Sequence, residues 1–195
     1  MKNSLKLHLA SSSPRRQEIL AALRLDFTAQ GVDLDETPLH GETADEMVLR
    51  LAEDKALAAG MPGDVVVIGS DTEVVLDDVA LGKPVDRDDA ISMLLSLSGR
   101  THQVITGVAV ARGDHVAAVI SSTDVQFREI GRDEADNYWQ SGEPRDKAGA
   151  YGIQGLGGAF VESINGSYSC VVGLPVFETV TLLREAGIDV MARND

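Results

Sequence analysis

The chain has 195 residues, 44% of them hydrophobic, and it carries a formal net charge of −14. This length and apolar content are enough to bury a core, which excludes an intrinsically disordered chain. The acidic balance argues against a nucleic acid polymer as partner, because proteins that bind one usually present a basic face. No apolar run reaches the roughly 18 residues of a membrane-spanning helix, so we expect no membrane partner.

Cys170 is the single cysteine. A single cysteine can form no internal disulfide, and its number excludes a cysteine-rich zinc site. We expect Cys170 to be a buried, small hydrophobic side chain. The apolar stretch near the first residue is too short for a secretory signal. These features predict a cytoplasmic protein.

The first half of the chain predicts two strands and three helices. A strand at 5–10 leads into a helix that begins at Pro14, with Ser13 as its N-cap. Thr43 and Glu46 form a capping box for a helix from about residue 44 to 59. The β-branched run at 64–78 predicts a strand interrupted at 69–72, and a third helix follows Asp86 and stops at Gly99.

The second half predicts a β-hairpin over 102–127 that turns at 113–114, followed by a short helix at 132–142. A glycine-rich span then runs from 149 to 166, and Pro175 opens a last helix that Gly187 closes. The order mixes strands, a hairpin and helices without an internal repeat. It predicts a mixed α/β protein with an elongated sheet.

Arg15 and Arg16 break a local rule, because cations in the first turn of a helix oppose its dipole. Both guanidinium groups can simply point into solvent. Alternatively, the N–H groups of the helix start, the hydroxyls of Ser11–Ser13 and the two arginines can together hold a phosphate.

Lys55 lies four residues after Leu51 and seven after Val48, in line with the apolar stripe of its helix. Its ammonium can extend to solvent along the stem or reach into a cleft. Asp71 stands inside a Val/Ile/Leu run, where an unpaired carboxylate is costly to desolvate. A surface turn would explain it, but we favour a cleft, where it meets a cation or a metal.

Lys83 follows a turn glycine in "LGKP", and Lys147 precedes a glycine series in "DKAGAYGIQG". Each lysine alone is weak support for a site. Two arginines and three lysines beside a buried carboxylate, in so acidic a chain, are what a nucleoside triphosphate and its metal require. The acids of "GVDLDETP" (Asp33, Asp35 and Glu36) are candidate metal ligands or a solvated loop.

Several familiar sites are absent from the sequence. There is no phosphate-binding P-loop, "GIQGLGG" does not match the dinucleotide-binding spacing, and no H-E-x-x-H occurs. The four histidines show no metal-ligand spacing, and the serines at 11–13 lack the frame of a serine hydrolase.

The chain resembles the Maf family of nucleoside triphosphate pyrophosphatases. The resemblance spans nearly the whole sequence, through the ordered blocks "LASSSPRRQEIL", "VDLDETP", "RLAEDKA", "VIGSDTEVVL", "LGKP", "EPRDKAGAYGIQGLGGAFV" and "VVGLP". It implies a fold similar to the inosine triphosphate pyrophosphatases: one domain over residues 1–195, with two lobes around a central cleft. It also implies a homodimer, and hydrolysis between the α and β phosphates with Mg²⁺ or Mn²⁺.

The resemblance further implies residue roles. The proton acceptor of the family falls on Asp71, and its substrate-discriminating positions fall on Arg15, Thr72 and Gln154, a combination similar to the subgroup acting on dTTP and UTP. The sister subgroup acting on 7-methyl-GTP usually has a tryptophan, a glutamine and a glutamate at positions where this chain has Arg15, Thr72 and Gln154. Glu73 departs from the family, which more often carries an apolar residue there.

The resulting hypothesis is hydrolysis of dTTP and UTP to the nucleoside monophosphate and pyrophosphate, in nucleotide-pool housecleaning. The alternatives are a pyrophosphatase for 7-methyl-GTP or another modified nucleotide, and a non-enzymatic nucleotide-binding regulator of cell division. The expected catalytic residues are Asp71, Lys55 and Lys83. Asp71 and Glu36 are the expected metal ligands, and the expected substrate-binding residues are Ser11, Arg15, Arg16, Thr72, Lys147 and Gln154.

Overall fold

The computed structural model describes residues 5–191. Its seven strands are β1 (Lys6–Leu9), β2 (Thr28–Ala29), β3 (Val65–Leu76), β4 (Val79–Ala80), β5 (Thr101–Arg112), β6 (His115–Phe127) and β7 (Val161–Asn165). Its six α-helices are α1 (Pro14–Ala22), α2 (Ala44–Ala58), α3 (Arg87–Leu97), α4 (Arg132–Gln140), α5 (Tyr168–Val172) and α6 (Val176–Glu185). Over these residues, no helix is both long enough and apolar enough to span a membrane.

The strands form one mixed sheet in the order β2-β1-β3-β5-β6-β7, with β4 paired to β3. Strand β1 runs parallel to both β2 and β3, whereas the β3–β4 and β6–β7 pairs are antiparallel. A parallel pair needs a crossover connection, and α2 lies in the one between β1 and β3. The predicted mixed α/β class is confirmed.

The chain divides into two compact units. The first unit takes Met1–Asp71, Thr106–Ser121 and Gly173–Asp195, and the second takes Thr72–Ile105 and Ser122–Val172. Three long strands, β3, β5 and β6, therefore contribute residues to both units.

The first unit buries apolar side chains on both faces of its strands. Alternate residues of β3 belong to different clusters, because successive side chains of a strand point to opposite faces. Val66 and Ile68 pack with residues of α1 and α6, whereas Val65 and Val67 pack with Ala52 and Ala56 of α2.

The second unit has one larger core centred on Phe127. The Phe127 ring makes edge contacts with His102 and Tyr151, at centroid distances of 4.8 and 4.7 Å. His102 is 2% exposed, and its Nε2 lies 2.8 Å from the Tyr151 hydroxyl. Burial lowers the pKa of His102 to about 4, so the imidazole is neutral in the folded protein.

The structure corrects three of the sequence expectations. β3 is one continuous strand through Gly69–Thr72, so the predicted interruption is wrong. The glycine-rich span contains a strand, β7, and the five-residue helix α5 follows it. Ser13 holds the N-cap position of α1, but its side chain makes no capping hydrogen bond.

Candidate active site

Helix α2 lies unusually close to the sheet because two strand positions beneath it are glycines. A Cβ at Gly69 would lie 2.0 Å from the main-chain oxygen of Ala52, and one at Gly107 would lie 2.3 Å from that of Val48. Neither distance is possible for real atoms, so any side chain there would push the helix away. This close approach sets the height of α2 above β3.

Lys55 and Asp71 meet as a consequence of that approach. The Lys55 Nζ donates to Asp71 Oδ1 at 2.7 Å and lies 2.6 Å from Glu36 Oε1. Lys55 and Asp71 are each 8% exposed, whereas the Glu36 side chain is 47% exposed. The first unit thus holds one ammonium against two carboxylates, in a nearly buried place where a lone charge would be costly.

Ser11 and Arg16 are brought together at the start of α1. Arg16 Nη1 donates to Ser11 Oγ at 3.2 Å, and Arg16 Nε donates to the main-chain oxygen of Gly173 at 2.8 Å. Burial lowers the pKa of Arg16, and the carboxylate of Asp71 opposes that shift while Arg15 adds to it. Arg15, Arg16 and Asp71 are therefore close enough to interact electrostatically.

Ser70 holds three chain segments of the first unit together. Its fully buried hydroxyl lies 2.9 Å from the Gly107 oxygen and 3.0 Å from the Gly173 oxygen. The Gly173 oxygen therefore accepts hydrogen bonds from both Ser70 and Arg16. These contacts tie the main chain next to Asp71 to Gly107 and Gly173 and, through Arg16, to α1. No local pattern in the sequence marks Ser70 or Gly173 as site residues.

The second unit carries the other predicted residues. Lys83 is exposed on a turn whose Gly82 oxygen accepts from the Gly149 N–H at 2.8 Å. The Lys147 ammonium donates to the main-chain oxygen of Glu143 and to Asp146 Oδ1. Thr72 is half-buried on β3 directly after Asp71, and Gln154 is exposed.

Glu143 is the residue of this unit that the sequence reasoning overlooked. Its carboxylate accepts hydrogen bonds from the Tyr138 hydroxyl and from the N–H groups of Leu156 and Gly157. In the sequence, Glu143 opens the "EPRD" turn, a context in which an acidic side chain is ordinarily exposed to solvent. The only available signal was the cluster of glycines that follows it.

The donor set for a divalent cation is small. Over residues 5–191, no group of three or more His, Cys, Asp or Glu side chains is placed to hold a metal ion. Two carboxylates, Asp71 and Glu36, already converge on one cation, the Lys55 ammonium. Mg²⁺ is usually held by one or two carboxylates together with substrate phosphates and water, so this pair fits such an ion. Asp35 instead accepts the N–H of Thr37 at 2.9 Å.

Comparison with known proteins gives one consistent family. The model of the Maf family, described as "Maf-like protein", matches residues 6–186. A protein of Hahella chejuensis named "dTTP/UTP pyrophosphatase" is 50% identical over 95% of this chain and 94% of its own length. One of the same name from Vibrio parahaemolyticus is 53% identical over 95% of this chain and 99% of its own length.

Solved structures give more distant matches. A HAM1 protein from Coxiella burnetii is 22% identical over 66% of this chain and 74% of its own, with a TM-score of 0.44. The Staphylococcus aureus Ham1 protein is 15% identical over 63% of this chain and 71% of its own, with a TM-score of 0.45. The match of the family model over nearly the whole chain, together with relatives about half identical over most of their length, shows that this chain belongs to the Maf family.

Proposed function

We propose that this protein is a nucleoside triphosphate pyrophosphatase that hydrolyses dTTP and UTP. The observation that carries the proposal is the Lys55 ammonium held between the Asp71 and Glu36 carboxylates, with Arg16 in electrostatic reach. Relatives about 50% identical along nearly their whole length bear the name of this activity. The products are the nucleoside monophosphate and pyrophosphate, and the role is housecleaning of the nucleotide pool.

Asp71 is the proton acceptor of the proposal. A water molecule attacks the α-phosphorus while Asp71 takes its proton, and the bond to the bridging oxygen of the β-phosphate breaks to release pyrophosphate. The 2.7 Å contact with Lys55 supports this role, because it holds a nearly buried carboxylate in a fixed orientation. When the triphosphate binds, it becomes a third anion for Lys55 to neutralise, beside Asp71 and Glu36.

The cations of the proposal neutralise the phosphates. Arg15 and Arg16 act at the start of α1, where Ser11 adds a hydroxyl and the helix N–H groups favour an anion. Lys55 and Lys83 stabilise the charge that develops on the departing pyrophosphate, and Lys147 binds a phosphate. Guanidinium forks suit phosphate oxygens because two N–H groups can bind side by side.

Asp71 and Glu36 would hold a Mg²⁺ or Mn²⁺ ion together with the substrate phosphates. Such an ion polarises a phosphoryl oxygen and neutralises charge on the triphosphate. Asp71 and Glu36 also have a role that does not depend on the metal ion: their charges hold the Lys55 ammonium in position for the substrate.

Thr72 and Gln154 are the base-reading residues of the proposal. The amide of glutamine offers both a donor and an acceptor, which matches the edge of uracil or thymine. The exposure of Gln154 leaves that amide accessible to a ligand. We include in the proposal a cytoplasmic location and a homodimer, which the family resemblance implies.

A substrate panel tests the proposal. Pyrophosphate release is measured with dTTP, UTP, 7-methyl-GTP and noncanonical purine triphosphates, each with Mg²⁺ or Mn²⁺. We expect dTTP and UTP to give the highest kcat/KM. A higher value for 7-methyl-GTP or a purine would replace the substrate assignment, and no release from any nucleotide would favour a binding regulator.

The variant Asp71→Asn tests the assigned proton acceptor, because it removes the carboxylate and keeps the size of the side chain. We expect turnover to be abolished while the fold and much of the nucleotide binding remain, measured by pyrophosphate release, circular dichroism and calorimetry. Asp64→Asn is the matched control, because Asp64 is an exposed acid whose Lys6 partner lies 3.9 Å away. Full activity of Asp71→Asn would refute the assignment.

A further inference from the structure

Glu143 has no part in the chemistry proposed above, yet its carboxylate is fully engaged. Oε1 accepts the Tyr138 hydroxyl at 2.7 Å and the Gly157 N–H at 3.1 Å. Oε2 accepts the Leu156 N–H at 2.9 Å. One side chain therefore anchors both α4 and the loop formed by residues 152–157, which we call the glycine loop.

The glycine loop is shaped around this carboxylate. A Cβ at Gly155 would lie 2.4 Å from Glu143 Oε2, and one at Gly157 would lie 2.5 Å from the Tyr138 hydroxyl oxygen. The Gly152 N–H also donates to that hydroxyl, at 3.1 Å. Two glycines of "GIQGLGG", a stretch that fits no nucleotide-binding motif, are thus explained by close approach: Gly155 to Glu143 and Gly157 to Tyr138.

Glu143 is suited to this task as a carboxylate rather than as a neutral side chain. Burial raises its pKa, but the hydrogen bonds from Tyr138, Gly157 and Leu156 outweigh that effect and leave the pKa below its usual value. An ionised carboxylate only accepts hydrogen bonds, so it satisfies three donors at once. A glutamine at position 143 would instead place its NH₂ group, a donor, against one of these N–H or O–H donors, and that contact would be repulsive.

The glycine loop also carries Gln154, and the main-chain oxygen of Glu143 accepts the Lys147 ammonium. A loop rich in glycine loses much conformational entropy when it is ordered. If Glu143 did not anchor the glycine loop, fewer molecules would hold the Gln154 amide in the orientation that binds the base. The apparent affinity for the nucleotide would fall with that fraction.

We propose that Glu143 is a positioning residue for base selection: by fixing the glycine loop, it sets the orientation in which Gln154 meets the nucleobase. The inference rests on the proposed function, which gives Gln154 its role. An amide held in one orientation matches the edge of uracil but not that of cytosine, whose donor and acceptor are exchanged. The proposal therefore predicts that loss of the Glu143 carboxylate weakens binding of uracil nucleotides more than binding of cytosine nucleotides.

The test compares Glu143→Gln with wild type, with Glu162→Gln as matched control because Glu162 is an exposed acid of the same unit. Calorimetry measures binding of the α,β-methylene analogues of UTP and CTP, which cannot be hydrolysed between those phosphates. We expect the preference for the UTP analogue to fall about tenfold in Glu143→Gln, the effect of about one hydrogen bond. Glu162→Gln should retain the wild-type preference.

Hydrogen exchange supplies the second measurement. The amides of Leu156 and Gly157 should exchange about tenfold faster in Glu143→Gln than in wild type, because each loses a charge-assisted bond. Faster exchange with an unchanged preference would overturn the inference, since Glu143 would then be structural only. Equal loss of affinity for both analogues would overturn it as well.

Tyr138→Phe keeps the inference open to refutation if Glu143→Gln does not fold. It removes one donor to Glu143 and one acceptor for Gly152, so the preference should fall in the same direction by a smaller factor. An unchanged preference would overturn the inference. Failure of wild type to release pyrophosphate would overturn only the proposed function, because the binding preference is measured without turnover.

Discussion

Gly69→Ala is the sharpest test of how α2 places Lys55. The added Cβ would lie 2.0 Å from the Ala52 oxygen and 2.7 Å from the Ala56 nitrogen, and both are main-chain atoms that no rotamer change can move. The helix must retreat by about 1.4 Å to restore an ordinary contact of 3.4 Å. Overpacking of this kind costs about 3 kcal/mol, and the lower chain entropy of alanine in the unfolded state returns about 1 kcal/mol.

The net loss of about 2 kcal/mol corresponds to a fall in Tm of about 4–8 °C for a chain of this size. Lys55 lies between Ala52 and Ala56 on the same helix, so its 2.7 Å contact with Asp71 moves with the helix. A displacement of about 1 Å in a catalytic group can cost about 100-fold in rate, and we expect kcat/KM for UTP to fall by about that factor.

The measurements are thermal unfolding by circular dichroism and pyrophosphate release from UTP. Gly63→Ala is the control in the same unit, because its Cβ would meet only the Gly113 Cα, at 3.9 Å. It should leave kcat/KM unchanged and lower Tm by no more than about 1 °C. If Gly69→Ala matches Gly63→Ala in both measurements, the argument that glycine sets the height of α2 is refuted.

Three further predictions concern other parts of the chain. Thr43→Ala breaks the capping box with Glu46 and should lower the free energy of unfolding by about 1 kcal/mol in urea titrations; no change would mean the cap contributes nothing. His102 has its pKa lowered from 6.5 to about 4 on folding, so its contribution is complete above pH 6.5 and is lost as the pH falls toward 4. His102→Asn should therefore flatten the pH dependence of unfolding in that window by up to about 3 kcal/mol, and an equally steep profile would contradict the burial argument. Glu36→Gln should weaken Mn²⁺ binding about tenfold in electron paramagnetic resonance titrations while the neighbouring Asp35→Asn does not, since only Glu36 shares a cation with Asp71; equal affinities would remove Glu36 from the metal site.

The sequence was most informative where a single local rule decided the outcome. The capping box of Thr43 and Glu46 marked the start of α2, and the helical period placed Lys55 on the buried face. Asp71 was expected in a buried place because its neighbours were apolar, and it is 8% exposed. These features depend on residues within a few positions of one another.

Features that depend on distant parts of the chain were not predicted. The sequence predicts a break in the strand at Gly69, but in the structure this glycine allows close contact with Ala52 and Ala56 of α2, which precede it in the chain. No pattern in the sequence marks β7, because all five of its residues are exposed or half-buried and show no clear alternation. The bond from Ser70 to Gly173 joins residues 103 positions apart, and no local pattern marks such a pair.

The shared carbonyl of Gly173 has a consequence for biosynthesis. Leu174, Leu182 and Leu183 belong to the same core as Leu7 and Leu20, so the first unit draws on both extremes of the chain. Ribosomes add about 5–20 residues per second, and a domain folds when its parts have emerged. Arg16 and Ser70 therefore cannot reach their common acceptor until residue 173 has been synthesised and has emerged from the ribosome. A chain truncated before residue 173 could not anchor them.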